Sequence, residues 1–182
     1  SMLAALDREE KRRAGQRVAE HLEATITAHR HRGPVALFAS LEHEIDTRPL
    51  DALLRQLGVA RALPVVVGEL LEFRLIEGEH PAHDLAPGNF QVPTPGPEHP
   101  VVELAACSVV ITPGLAFDAS GQRLGHGRGF YDRALSAARV ENPDLVAVGI
   151  LLDLQRVETV PVAEHDVALD FTCSPASGLV EH

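Results

Sequence analysis

Apolar residues recur every four positions at Val18, Leu22 and Ile26, with arginines and glutamates on the intervening faces. That spacing predicts an amphipathic helix from Asp7 to about Arg30. Gly33-Pro34 breaks the pattern, and the apolar run Val35–Ala39 predicts a short buried strand. Ser40–Asp46 is a polar loop. Thr47-Arg-Pro49 then places a proline in the first turn of a second helix, whose stripe is Leu50, Leu53, Leu54 and Leu57. Strands follow at Arg61–Val67 and Leu71–Ile76, joined through Gly68, with a short strand or helix at Val101–Leu104. Ser108–Thr112 is a buried, β-branched strand. Helical spacing returns at Tyr131, Leu135 and Ala138, and strands at Leu145–Leu152 and Val167–Thr172 come last. Strands alternating with helices predict an α/β fold: a single three-layer domain over residues 1–182, with a mainly parallel sheet and helices on both faces.

One segment has no period. Glu77 to Pro100 carries six prolines and three histidines, and a structureless stretch of that length inside a compact domain is usually functional or mobile. His80, His83 and His99 have no metal-ligand spacing and are expected to face solvent. Lys11, Arg12 and Arg13 are expected to form a solvated face balancing Glu9 and Glu10. The 182 residues suit one domain, and 45% hydrophobic content a globular one. A net charge of −10 without a basic face argues against nucleic-acid binding, and no apolar run is long enough to span a bilayer. Cys107 and Cys173 sit in apolar settings and are expected to be buried and unpaired. No signal peptide is visible, so the cytoplasm is the expected compartment. Ser1 ahead of Met2 reads as an expression scar, and residues 1–6 as a disordered start.

The chemistry concentrates in Pro113–Arg133, PGLAFDASGQRLGHGRGFYDR. Gly125, Gly127 and Gly129 alternate with His126 and Arg128, and a helical pattern follows at once. Glycines allow positive φ and close approach, and a helix start presents free N–H groups, so the stretch has the makings of an anion site. Arg123, Arg128 and Arg133 add guanidinium forks suited to phosphate or carboxylate oxygens. Asp132 adds a hard oxygen that could hold magnesium against phosphates.

This stretch resembles the signature of the 5-formyltetrahydrofolate cyclo-ligase, or methenyltetrahydrofolate synthetase, family, close to PG-x-x-FD-x-x-G-x-RLG-x-G-x-GYYDR. The chain departs from it at Phe130, where the pattern has tyrosine, and Ser108 replaces an aspartate common before the strand. The resemblance runs from about residue 6 to 172. It includes Glu44-Ile-Asp46-Thr47 for an E-x-x-T, Phe90-Gln-Val92-Pro93-Thr-Pro95 for the end of a loop, and Gln155, Pro161, Glu164, His165 and Asp166 for a closing pattern. It implies that Arg123, Leu124, Gly125, His126, Gly127, Arg128, Gly129 and Phe130 form the ATP loop and that Asp132 and Asp166 hold magnesium. Ala39, Glu44, Phe90, His126 and Arg128 would contact the folate, with Phe90 stacking on its pterin, and Arg128 and Tyr131 would be catalytic.

The implied function is ATP-dependent cyclisation of 5-formyltetrahydrofolate to 5,10-methenyltetrahydrofolate, by a monomer acting on small molecules without nucleic acid or membrane. A Gly-rich anion loop with arginines and carboxylates, and no evident Ser–His or Cys–His pair, agrees with chemistry that needs positioning rather than a covalent nucleophile. The family pattern also has a K-x-x-L-R ahead of the first helix, whose Lys and Arg grip ATP phosphates. Residues 1–6 do not carry it, and Lys11–Arg13 do not occupy its place. A non-catalytic or altered folate- or nucleotide-binding paralogue is the alternative this leaves.

Overall fold

A computed structural model describes residues 6–88 and 92–182. Helix α1 (Arg8–His29) starts at a capping box: the Asp7 carboxylate accepts from the Glu10 amide, and the Glu10 carboxylate accepts from the Asp7 amide, each at 2.8 Å. Its Val18, Leu22 and Ile26 stripe is buried, as the spacing predicts. Strand β1 covers only Val35–Ala36. The Leu37 amide still reaches the Ala62 carbonyl at 2.9 Å, but the Phe38 carbonyl accepts from the Thr47 hydroxyl, so the predicted five-residue ladder ends early. Helix α2 spans Arg48–Gln56, and β2 (Arg61–Val67) and β3 (Leu70–Ile76) form a hairpin. Strand β4 is Val101–Val102, followed by a 3-10 turn at Leu104–Ala106. Then come β5 (Val109–Thr112), the two-residue strands β6 (Ala116–Phe117) and β7 (Arg123–Leu124), α3 (Phe130–Glu141), β8 (Val146–Ile150), β9 (Phe171–Ser174) and β10 (Gly178–Glu181).

Eight strands form one sheet in the order β10-β9-β8-β5-β1-β2-β3-β4. The centre, β2-β1-β5-β8-β9, is parallel, while β3, β4 and β10 join antiparallel at the edges. Side chains alternate across it. Val35, Leu37, Val109, Ile111, Val148 and Ile150 pack with the α1 and α2 stripes. Ala36, Ala62, Val110 and Ala147 pack with Leu135 and Ala138 of α3. The architecture is thus helices, sheet, helix, as predicted.

Several expectations are corrected. Strand β9 begins at Phe171 rather than Val167, because the Val167 and Leu169 amides go to Asp132 and to the Gly121 carbonyl instead of the sheet. Lys11 is not on a solvated face. It is 8% exposed, and its Nζ donates to the Glu42 carbonyl at 2.8 Å, tying α1 to the loop after β1. Cys107 and Cys173 are buried and unpaired as expected, and burial pushes both thiols up to about 12.

Candidate active site

Strand order turns around at the β1–β5 pair. From β1 the chain winds one way through β2, β3 and β4, then crosses back to β5 and on to β8 and β9. In open α/β sheets, ligands bind outside the carboxyl ends of the strands at such a switch point. A cavity of about 470 Å³ lies there. The loop after β1 contributes Leu41 and His43, β2 and β3 contribute Pro64, Val65, Val66 and Leu71, and Pro113 follows β5. The opposite wall is the sequence signature: Arg123, Gly125, His126, Arg128, Gly129, Phe130, Tyr131 and Asp132. One wall is apolar and suits a flat ring. The other is polar and suits an anion.

The first half of the signature is structural. Gly114 is required by packing, because a methyl there would lie 2.6 Å from Phe117 Cζ and 2.9 Å from Arg123 Cγ. Phe117 is fully buried. Burial alone would push the Asp118 carboxyl up. The Ser120 hydroxyl and the amides of Val160, Ser120 and Gln122 all donate to it and hold it at about 2. Gln155 is buried as well. Its side-chain amide donates to the Gly114 carbonyl at 2.7 Å and its oxygen accepts from the Leu152 amide at 2.8 Å.

The second half faces the cavity. The antiparallel β6–β7 pair carries Arg123 inward, where Nη2 donates to Asp132 Oδ1 at 2.8 Å. The Arg123 guanidinium carbon also lies 5.4 Å from the centre of the Tyr131 ring. With its side chain 4% exposed, Arg123 is a buried strut for Asp132 and Tyr131 as well as a lining residue. Gly127 has φ 77° and Gly129 φ 59°, so both use the left-handed region that glycine favours. Gly129 is the N-cap of α3 and supplies no side chain to it, so the first amides of that helix are uncapped by any side-chain oxygen. Arg128 is exposed at the same rim. Burial pushes the Tyr131 phenol well above its ordinary value, opposed by Arg123 and reinforced by Glu44, so it remains a proton-bearing hydroxyl.

Glu44 stands across from this wall. Its Oε2 accepts from the Leu41 amide at 2.7 Å. Burial raises its carboxyl above the ordinary value, against the Leu41 amide, His43 and His126. The His43 and His126 rings meet edge to face with centroids 6.2 Å apart, bridging the loop after β1 and the glycine loop. Behind Glu44 lies a second, more polar cavity of about 810 Å³, lined by Lys11, Ser40, Arg48 and His83 among others. Leu41 and His43 line both.

The fold therefore brings Arg123, Gly125, His126, Arg128, Gly129, Phe130, Tyr131 and Asp132 to one cavity, with Glu44 beside it. Leu124, Gly127 and Ala39 line neither cavity. The Leu124 carbonyl instead accepts from the Leu115 amide at 2.7 Å, and Ala39 is buried. Phe90 lies outside the described residues. Asp166 has Oδ2 engaged by the Ala163 amide at 2.7 Å, while the adjoining Val167 amide donates to Asp132 Oδ1 at 3.3 Å. Of the three histidines expected in solvent, His80 is exposed, and His99 is half-buried, 3.4 Å from the Glu98 carboxylate, a correction. His83 is half-buried against Ser40 and Thr47, a correction. Sequence reasoning passed over His43, Pro64, Val65, Val66 and Leu71. For all but Leu71, which lies near the start of the antiparallel β3, the one available signal was a position in or after a parallel strand.

A family model described as the 5-formyltetrahydrofolate cyclo-ligase family matches residues 1–175. The chain belongs to that family. An Escherichia coli protein named 5-formyltetrahydrofolate cyclo-ligase is 34% identical over 176 residues, covering 94% of this chain and 93% of its own. The NMR structure of Aquifex aeolicus 5,10-methenyltetrahydrofolate synthetase superposes with a TM-score of 0.76 at 27% identity, covering 99% of this chain and 87% of that one. The 5,10-methenyltetrahydrofolate synthetase of Mycoplasma pneumoniae shares the fold with a TM-score of 0.73 at 20% identity, over 96% and 92% of the two chains.

Proposed function

We propose that this chain catalyses the ATP-dependent cyclisation of 5-formyltetrahydrofolate to 5,10-methenyltetrahydrofolate, releasing ADP and phosphate. The observation that carries the reading is the junction of Gly125–Gly129 with the uncapped start of α3, opening on a cavity whose other wall is apolar. The family membership supports the same reading over a non-catalytic paralogue, as do relatives that bear the cyclo-ligase name.

In this reading the glycine loop and the α3 amides bind ATP phosphates, and the apolar wall takes a flat ring. Glu44 accepts from polar hydrogens of the folate and orients it, with His126 and Arg128 beside it. The formyl oxygen attacks the γ-phosphorus, and the bond from that phosphorus to ADP breaks. The neighbouring amine of the folate then closes on the formyl carbon, loses its proton, and phosphate departs. Arg128 neutralises charge on the transferring group, and Tyr131 offers a phenolic hydrogen bond from its protonated form. Arg123 acts chiefly by holding Asp132 and Tyr131 in place.

Magnesium is the metal the family resemblance implies. Among the described residues no group of three or more His, Cys, Asp or Glu side chains is placed to hold a metal. Magnesium in nucleotide sites needs only one or two carboxylates beside phosphates and water, so this sparse donor set fits it. Asp132 is the first candidate, because its Oδ1 takes both hydrogen bonds given to the side chain and Oδ2 takes none among the described residues. Asp166 is the second. The ion would supply charge neutralisation to the phosphates.

Among the described residues no helix is long and apolar enough to cross a membrane. The proposal includes a cytoplasmic monomer acting on small molecules. The test is direct: the protein with 5-formyltetrahydrofolate, ATP and magnesium should generate the absorbance of methenyltetrahydrofolate. A folded protein that binds ATP but gives no turnover would return the paralogue reading.

A further inference from the structure

The segment after β3 is tied down by a buried ion pair. Arg61 on β2 and Asp51 on α2 are each 1% exposed, and Nε meets Oδ1 at 3.1 Å. The other Arg61 N–H groups donate to the carbonyls of Gly78, at 2.7 Å, and His80. The second Asp51 oxygen accepts from the Ala82 amide at 3.2 Å. A pair like this is costly to break from the acidic side, because removing Asp51, which also pairs with Arg55 Nε at 3.2 Å, strands the Arg61 charge in the interior. The next residue along the chain is His83.

His83 is delivered onto the loop that carries Glu44. Its Nε2 lies 3.2 Å from Thr47 Oγ1 and 3.4 Å from Ser40 Oγ. Those two residues close the loop reciprocally: the Ser40 amide donates to Thr47 Oγ1 and the Thr47 amide to Ser40 Oγ, each at 3.1 Å. The Thr47 hydroxyl proton is committed to the Phe38 carbonyl at 2.9 Å. A ring hydrogen on Nε2 makes the contact to Thr47 a hydrogen bond and leaves Nδ1 as an acceptor. Nδ1 is buried and has no hydrogen-bond partner among the described residues. Burial pushes the imidazole below its ordinary value, against the pull of Asp46, so the neutral ring is favoured. His83 and Glu44 line the same polar cavity.

We propose that His83 is a positioning residue for the folate: it locks the Ser40–Thr47 clasp and so holds Glu44 at the mouth of the catalytic cavity. This rests on the assignment of Glu44 to the folate. Without the imidazole the clasp keeps its own two hydrogen bonds but loses the outer wall pressed against them. The Glu44 loop then samples more conformations, and the loss falls on folate binding rather than on the nucleotide.

The experiment is steady-state kinetics on the full chain for His83→Ala and His83→Gln, with the exposed His80→Ala as control and thermal unfolding of each. The glutamine amide nitrogen can stand in for Nε2–H. His83→Ala is expected to raise KM for 5-formyltetrahydrofolate about tenfold, leave KM for ATP within about twofold, and be largely restored by His83→Gln. An unchanged folate KM in His83→Ala overturns the proposal, and so does an equal rise in both KM values. Should both His83 variants lose activity in step with melting temperature, His83 is structural and the proposal falls. An inactive parent protein, by contrast, removes the cyclo-ligase reading itself and this inference with it.

Discussion

Gly125 offers a cleaner test of the anion loop than its neighbour Gly127. In the left-handed region an alanine costs roughly 1 kcal/mol or more, and Gly127 has φ 77°. Gly125 is not in that region, and an added methyl would meet no atom within 4 Å. Gly125→Ala should therefore cost the empty fold nothing, and could stabilise it by about 0.4–1 kcal/mol through the unfolded chain. Gly127→Ala also meets nothing within 4 Å, so its penalty is the backbone strain alone. For a domain of this size, 1 kcal/mol corresponds to about 2–4 °C in melting temperature. Gly127→Ala should melt lower by that amount and Gly125→Ala should not.

The two differ in the opposite sense toward ligand. Gly125 lines the cavity and Gly127 does not. A methyl at Gly125 occupies space that a phosphate needs if it is to reach the loop amides. Losing one charge-assisted hydrogen bond costs about 1.5–3 kcal/mol, or roughly 10- to 150-fold in affinity. The assay is calorimetric titration with a non-hydrolysable ATP analogue and magnesium, beside thermal unfolding without ligand. Gly125→Ala should bind at least about tenfold more weakly while melting at or above the parent temperature. If it binds like the parent, no phosphate approaches that backbone and the nucleotide loop is misplaced.

Arg128 is exposed at the rim, so Arg128→Ala should leave melting within about 0.5 kcal/mol and weaken nucleotide binding by about 1.5–3 kcal/mol, read by the same two methods; early melting with normal binding would make Arg128 structural. Asp118 has its folded carboxyl depressed to about 2 from an ordinary 3.8, so its contribution to stability is present above the unfolded value and fades as pH falls through the folded one. Asp118→Asn should therefore be less stable than the parent near pH 7, with the gap in urea unfolding closing between about pH 4 and pH 2; a gap independent of pH would refute the charged hydrogen-bond account. Gly15→Ala gains about 1 kcal/mol in helix propensity, yet its methyl would collide with the Asp46 carbonyl and push α1 from the loop before α2. Overpacking of this kind costs about 1–3 kcal/mol, so the variant should melt lower, and one that melts higher would show that the two segments can separate freely.

Long periodic elements were legible because burial of one face leaves its mark on successive residues. Helix α1 and the β2–β3 hairpin fall nearly where their apolar spacing places them. Strand β10 left no mark: Gly178–Glu181 is four residues long and is held by its antiparallel pairing with β9. The β6–β7 pair is two residues a side and was hidden inside the signature. Lys11 and His83 were misread for a shared reason. Each is covered by residues far away in the chain: Lys11 by Glu42, and His83 by Ser40 and Thr47. Spacing within one element cannot report such contacts. The apolar wall of Pro64, Val65 and Val66 was legible as a strand but not as a site, because only the sheet order shows that its end faces the glycine loop.

The signature itself mixes two kinds of constraint, and the structure separates them. Gly114, Phe117, Asp118 and the distant Gln155 do not line the cavity and are locked together through packing and through carbonyls and amides they satisfy. Gly125, His126, Arg128, Gly129 and Asp132 line the cavity. Arg123 belongs to both groups, since it is buried like the first and bonded to Asp132 of the second. Changes in the first group should act through stability and leave the affinity of the folded fraction unchanged, while changes at Gly125, His126 and Arg128 should do the reverse; Gly129, at φ 59°, and Asp132, the partner of buried Arg123, should cost stability as well. At Arg123 too the two effects cannot be separated by mutation alone. Removing its guanidinium leaves the Asp132 carboxylate short of one charged partner and the Tyr131 ring without its cover, so stability and nucleotide binding should fall together.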